Sequence, residues 1–346
     1  MSKRTLLLGS VFALALSGPA MAQGFLVSTN GKVAIGLNPE GHLIAYVSDP
    51  DAPLSPLGIA YNFSGQGGRT GWQDALAPGC DCEAWGVAGN GFGNQIGQYT
   101  GNAGITLVSQ SFVPGTSFTS VTTADGSGLK VTHAFTQAVQ TATGALFKAA
   151  VTIENPTLAT ITDVRYARSM DWDVPPTEFS EWVTHKGVPT TTFLLHATND
   201  GFANANPMTA ATNSGRVGVP PNTEGLQGTA ARDHGSLFVF TFGDLDPGEK
   251  AEFEIFYGAG ENETDALTLL SLVGPELYSL GQSSLGDRRR DDLPTFIFAF
   301  RGVGGEIVVP PPPPPPPPGE VGVPEPASLA LLGLGLLGLG FARRRA

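Results

Sequence analysis

"LKVTHAFTQAVQTATGALFKAAVTIEN", residues 129–155, holds two β-like runs, Leu129 to Val139 and Leu146 to Asn155, on either side of "TATG". Runs rich in Val, Thr, Phe and Ile, cut by turn-forming residues, are the signature of paired strands. The same pattern continues outward. Ile105 to Phe112 and Ser117 to Ala124 come before, bounded by "PG" and "DGSG", and Ile161 to Asp171 follows "NPT". Strands recurring every roughly 10 to 15 residues with such turns point to a sandwich or barrel.

Further out, Val33, Ile35 and Leu37 alternate before "NPEG" (Asn38 to Gly41), and "HLIAYV" (His42 to Val47) reads as the returning strand of a hairpin. Pro and Gly occupy the turn positions they favour. A less regular stretch, Pro175 to Ala231, precedes "SLFVFTF" (Ser236 to Phe242), the turn "DPGE", and "KAEFEIFYG", where Phe253, Ile255 and Tyr257 alternate. "TFIFAF" (Thr295 to Phe300) reads as a last buried strand. One helix is expected: in "NETDALTLLSLVG", Ala266, Leu267, Leu269, Leu270 and Val273 follow a 3.6 period, with Asn262 as cap and Gly274-Pro275 as stop.

Composition agrees with an all-β chain. Of 346 residues only 14% are charged and 41% are hydrophobic, with 46 Gly and 28 Pro, which suits short strands and many turns. The expectation is an antiparallel β-sandwich, large or double, over residues 23–305, with that one short helix on its C-terminal side.

The N-terminus reads as a signal peptide, residues 1–22: Lys3 and Arg4, an apolar run from Leu6 to Leu16, and the small-x-small site Ala20-Met21-Ala22. A short membrane anchor is the weaker reading, because that run is about half of the roughly 20 residues a span needs. The net charge of −12 becomes −17 once Lys3, Arg4, Arg343, Arg344 and Arg345 are removed. Such acidity repels phosphate backbones, so no nucleic-acid partner is expected. The run "DRRRDD" (Asp287 to Asp292) is nearly neutral and reads as a salt-bridged loop.

Residues 306–322 form a Pro-rich linker, including nine consecutive prolines, Pro310 to Pro318. As polyproline II that run spans about 28 Å. Residues 323–346, "VPEPASLALLGLGLLGLGFARRRA", hold an uncharged segment, Ala327 to Ala342, that as a single hydrophobic helix reaches about 24 Å against a bilayer core near 30 Å. The Arg cluster would stay cytoplasmic and the body outside. "GLGLLG" (Gly333 to Gly338) matches a dinucleotide fingerprint only formally, since no strand precedes it.

Val323, Pro324, Glu325 and Pro326, the apolar span, and Arg343, Arg344 and Arg345 resemble the PEP-CTERM sorting signal of Gram-negative exported proteins. The resemblance implies recognition of Pro-Glu-Pro by a membrane-embedded exosortase-type enzyme, commonly in bacteria that make extracellular polysaccharide. It implies an inner-membrane-anchored precursor, signal peptidase as a second processing partner, and a mature form at the cell surface or outside the cell. "PGCDCEAWGV" and "RSMDWDV" also resemble stretches of other exported proteins with this tail, which bears on fold alone.

Three groups carry candidate chemistry. Cys80 and Cys82 are the only cysteines. On a strand their Cα atoms would lie near about 6.5 Å, the edge of disulfide reach, whereas a loop would close the bond; a reduced pair, an intermolecular bond and half a metal site are the alternatives. "MDWDVPPTEFSEW" concentrates Asp171, Asp173, Glu178 and Glu181. Asp171, Asp173, Glu178 and, from elsewhere, Asp200 are the candidate Ca²⁺ ligands, set against an acidic strand end bonding turn amides. Trp72, Trp85 and Tyr99 could stack on sugar rings or plug the core.

The motifs G-x-S-x-G, H-E-x-x-H and the P-loop are absent, and the five histidines are scattered. The leading expectation is therefore an exported surface or extracellular-matrix protein with no evident enzymatic activity. A Ca²⁺-dependent carbohydrate-binding module is the alternative, with extracellular polysaccharide as partner. A glycan-acting hydrolase using Asp173 with Glu178 or Glu181 comes third.

Overall fold

The computed structural model describes residues 23–202, 204–286 and 288–308. The expected signal peptide, the proline run and the tail lie outside the described residues.

Strands dominate, and every pairing is antiparallel. Residues 129–155 form two long neighbours, Lys130–Gln140 and Ala145–Glu154, joined by a tight turn in which the Thr141 hydroxyl accepts from Gly144 N (2.9 Å). They lie within a nine-stranded sheet. On one side the order continues through Ser117–Ala124 to Ile105–Val113; on the other it runs through Lys250–Gly260, Thr295–Arg301, Leu277–Gln282, Trp182–Lys186 and Gly225–Leu226. A six-stranded sheet runs Leu194–Thr198, His234–Leu245, Ile161–Trp172, Glu83–Gly89, Phe92–Gly97, Gly101–Ala103. Four N-terminal strands, Gly24–Val27, Val33–Leu37, Ile59–Ser64 and Thr70–Asp74, form a third sheet in sequence order.

Side chains from all three sheets share one core. Between the two larger sheets it is an aromatic layer. Phe240 and Phe238 of the six-stranded sheet meet Phe300 and Phe298 of the nine-stranded one at ring separations of 4.8 and 5.6 Å. Phe253, Ile255 and Tyr257 point into this core, as their alternation requires, while Phe256 between them faces the other way. That opposite face carries the helix Glu263–Val273, which lays Ala266, Leu269, Leu270 and Val273 over Leu146, Phe256 and Ile297. The helix starts where Asn262 accepts from Asp265 N and stops where Gly274 turns left-handed at φ 59°.

The returning strand His42 to Val47 does not form. The "NPEG" turn closes, with Gly41 N donating to Asn38 O, but Val33–Leu37 pairs instead with Gly24–Val27 and Ile59–Ser64. Asn38 explains the difference: its Nδ2 donates to the carbonyls of Leu43 and Ile44, both 2.8 Å away, and so curls the chain locally. Ile44 takes φ 61°, which no strand accommodates. A second short helix, Pro207–Ala210, lies within the stretch read as irregular. In the "DRRRDD" run, Arg288–Arg289 pairs with Ser284–Leu285 and Arg290 bonds Asp292, a tight hairpin with a salt bridge.

Candidate functional site

The strand Ile161–Trp172 ends in an acidic corner. Asp171 N donates to Cys82 O (2.9 Å) and Asp173 N to Ala75 O (2.8 Å), so the backbone of "DWD" is pinned against the segment entering Glu83–Gly89. On the other side Trp172 pairs with His234, the first residue of His234–Leu245. That register carries Asp233, one residue before the strand, to the level of Asp173.

The result is three carboxylates, Asp171, Asp173 and Asp233, each with an oxygen within 4.8 Å of the others. Asp171 and Asp173 are buried and Asp233 is half-buried. Neither oxygen of Asp173 has a hydrogen-bond partner, nor does Oδ1 of Asp171 or of Asp233. A fourth carboxylate, Glu181, is fully buried; its Oε1 accepts from His234 N at 2.7 Å and its Oε2 has no partner.

Burial and mutual repulsion act together on these groups. Asp171 is pushed up to about 9, first by burial and then by Asp173 and Asp233. Burial, then Asp233 and Asp74, takes Asp173 to about 8. Glu181 rises to about 10, mainly through burial, despite the amide of His234. Among the described residues no Lys or Arg lies within salt-bridge distance of Asp171, Asp173 or Asp233; Arg216 acts on Asp171 and Asp233 from farther away.

Nitrogen and sulfur ligands are already committed. His234 Nδ1 meets Asn199 Nδ2 at 3.1 Å, and its Nε2 meets Glu181 O at 3.2 Å. Cys80 and Cys82 form a disulfide with Cα atoms 5.1 Å apart, closed in a loop rather than on a strand. Cys80 Sγ lies 3.5 Å from Asp171 Oδ2. A disulfide sulfur has no proton to donate, so it does nothing to satisfy that oxygen.

The structure thus gathers Asp171 and Asp173 but not the whole expected ligand set. Glu178 is turned toward Arg69, which donates to its Oε1 at 3.1 Å. Asp200 accepts from Asn213 Nδ2 (2.9 Å) and from Phe202 N, and lies outside the 4.8 Å group. Asp233 joins the group instead, and Glu181 lies close enough for the three aspartates to act on its charge. Asp233 could have been found only by pairing Ile161 to Asp171 with Ser236 to Phe242 and extending the register. The aromatic trio is dispersed as well. Trp85 offers no ring to a sugar, because it is wholly inside the core, stacked on Tyr166 and donating Nε1–H to Glu40 O at 2.9 Å. Trp72 is half-buried against Ala34, Leu57 and Ala60, and only Tyr99 is exposed.

Compared with known proteins, the chain matches no curated protein and no solved structure. Its end does match a family model. Residues 322–345 match the PEP-CTERM protein-sorting motif, and the chain therefore carries an exosortase-type C-terminal sorting signal.

Proposed function

We propose that this protein is a surface or extracellular-matrix component of a Gram-negative bacterium, delivered by exosortase-type processing of its tail. The observation that carries this reading is the sorting motif at residues 322–345. A signal of this kind implies export and a membrane-anchored precursor. The rest of the chain is of a kind that suits life outside the cell: a disulfide, an acidic composition, and an antiparallel body that we read as a large β-sandwich. Signal peptidase would act at the other end, and the inner membrane would hold the precursor only transiently.

The sugar-stacking part of the first alternative gains no support from the geometry. Carbohydrate binding would need an aromatic platform, and Trp85 is unavailable for one. A hydrolase built on Asp173 with Glu178 or Glu181 would need both carboxyls facing one groove; Glu178 is held by Arg69, and Glu181 and Asp173 have no exposed surface.

Proline disfavours helix at its own position and just before it, so the sequence Pro324-Glu325-Pro326 favours an extended form that a protease-like enzyme would bind as a strand. Replacing Glu325 by Ala leaves the apolar span and the arginines intact. In the native host the wild-type protein is expected to lose the apolar segment and Arg343 to Arg345, and the Glu325→Ala protein to stay full length in the inner membrane. Fractionation with intact mass decides; a wild-type chain that keeps residues 327–346 would defeat the reading.

A further inference from the structure

We infer that Asp171, Asp173 and Asp233 form a Ca²⁺ site, with Glu181 as the fourth carboxylate beside it. The first ground is distance. Ca²⁺ binds oxygen at about 2.3–2.6 Å, so oxygens sharing one ion lie no more than about 5 Å apart. The three carboxylates meet that limit, each with an oxygen within 4.8 Å of the others.

The second ground is independent of the clustering. Asp173 has no exposed surface, yet neither of its oxygens has a partner, and Glu181 Oε2 is buried and unpartnered too. A buried carboxyl without hydrogen bonds is costly: left alone it stays protonated, and it ionises only against a counter-charge or a metal. Here no basic side chain comes within salt-bridge distance of the three aspartates, among the described residues.

The donor set chooses the ion. Imidazole and thiolate would favour Zn²⁺, but His234 spends both nitrogens on Asn199 and Glu181, and both cysteines are in the disulfide. Carboxylate oxygens remain, which suit a hard cation. Their irregular sources, two residues at a strand end and one just ahead of another strand, suit the flexible coordination of Ca²⁺ better than the strict octahedron of Mg²⁺.

The full-length chain, purified in detergent, is melted with CaCl₂, MgCl₂ or ZnSO₄ and with EDTA. When Ca²⁺ exceeds its dissociation constant a hundredfold, the melting temperature should rise by about 5 °C over EDTA. Asp173→Asn and Asp171→Asn should abolish that rise, while Glu178→Gln and Asp200→Asn keep it. Because the aspartate variants could misfold, Tb³⁺ luminescence on the wild type serves as a second measurement. Emission sensitised by the adjacent Trp172 and displaced by Ca²⁺ is expected. The inference is overturned if neither a melting shift nor Ca²⁺-displaceable emission is seen, if the shift survives in a folded Asp171→Asn/Asp173→Asn chain, or if Zn²⁺ alone stabilises.

Discussion

Arg168 is the largest charged side chain in the interior, with no exposed surface. It survives there because Glu83, on the neighbouring strand, accepts from its Nε at 2.5 Å, and because Gly41 O and the Tyr166 hydroxyl accept from Nη1. Burial works against the guanidinium charge, but Glu83 together with Tyr257 and Tyr166 outweighs it and holds Arg168 above its ordinary value. Glu83 in turn takes Leu43 N on its other oxygen, so this one carboxylate also fixes the curled segment after the "NPEG" turn. Glu83→Gln leaves a buried cation without its partner and is expected to cost about 3–5 kcal/mol. Urea unfolding of the mature chain measures it, and a loss under about 1 kcal/mol would show that the pair is dispensable. Nothing in "RYARSM" distinguishes an inward arginine from an outward one. Alternation along a strand says which residues share a face, and the position of a partner decides whether a charge can be buried.

At the scale of elements, the helix Glu263–Val273 is specified by local chemistry from cap to stop. Asn262→Ala removes the side chain that accepts from Asp265 N and is expected to cost about 1 kcal/mol, or roughly 2 °C in melting temperature for a chain of this size. Calorimetry of the variant against wild type tests this, and an unchanged melting temperature would count against the cap. The same locality explains what was legible in the sequence. The turn signals bound Ser117–Ala124 to the residue, and Lys130–Gln140 and Ala145–Glu154 to within one, because the turns lie between these strands. The hairpin return at His42 failed because Asn38 satisfied the backbone locally before a strand could. Pairings such as Ala145–Glu154 with Lys250–Gly260 join residues about a hundred positions apart, and no turn signal announces them. The acidic corner was half legible for that reason: Asp171 and Asp173 are neighbours in sequence, whereas Asp233 arrives through a long-range register.

The whole molecule should show two opposed responses to pH. Burial holds His42 and His185 down near 3, His234 near 4, and His133 well below its ordinary value. The unfolded chain takes up these protons below about 6.5 and the folded chain does not, so their share of stability is lost on acidification. Asp173, Asp171 and Glu181, at about 8, 9 and 10, behave oppositely. Folded, they keep protons that the unfolded chain releases above about 4, so their share is lost as pH rises through 8 to 10. Between about 4 and 6.5 the two slopes oppose, and above 6.5 only the carboxylate slope remains. In EDTA the melting temperature is expected to fall from pH 7 to 9, and Ca²⁺ should flatten the fall because it favours the ionised carboxylates. A melting temperature in EDTA that stays level over that range would contradict the assignment.

The disulfide and the carboxylates meet at one corner, where Cys80 Sγ lies 3.5 Å from Asp171. Cytosolic thiols are kept reduced, and disulfides persist outside. Extracellular calcium modules likewise bind only at about 10⁻⁴ to 10⁻³ M. Both closures therefore become available on the same side of the inner membrane. On the proposed export route the chain would leave the ribosome with this corner unfinished, in a state suited to threading through a translocon, and its last tertiary contacts would be timed by arrival rather than by synthesis.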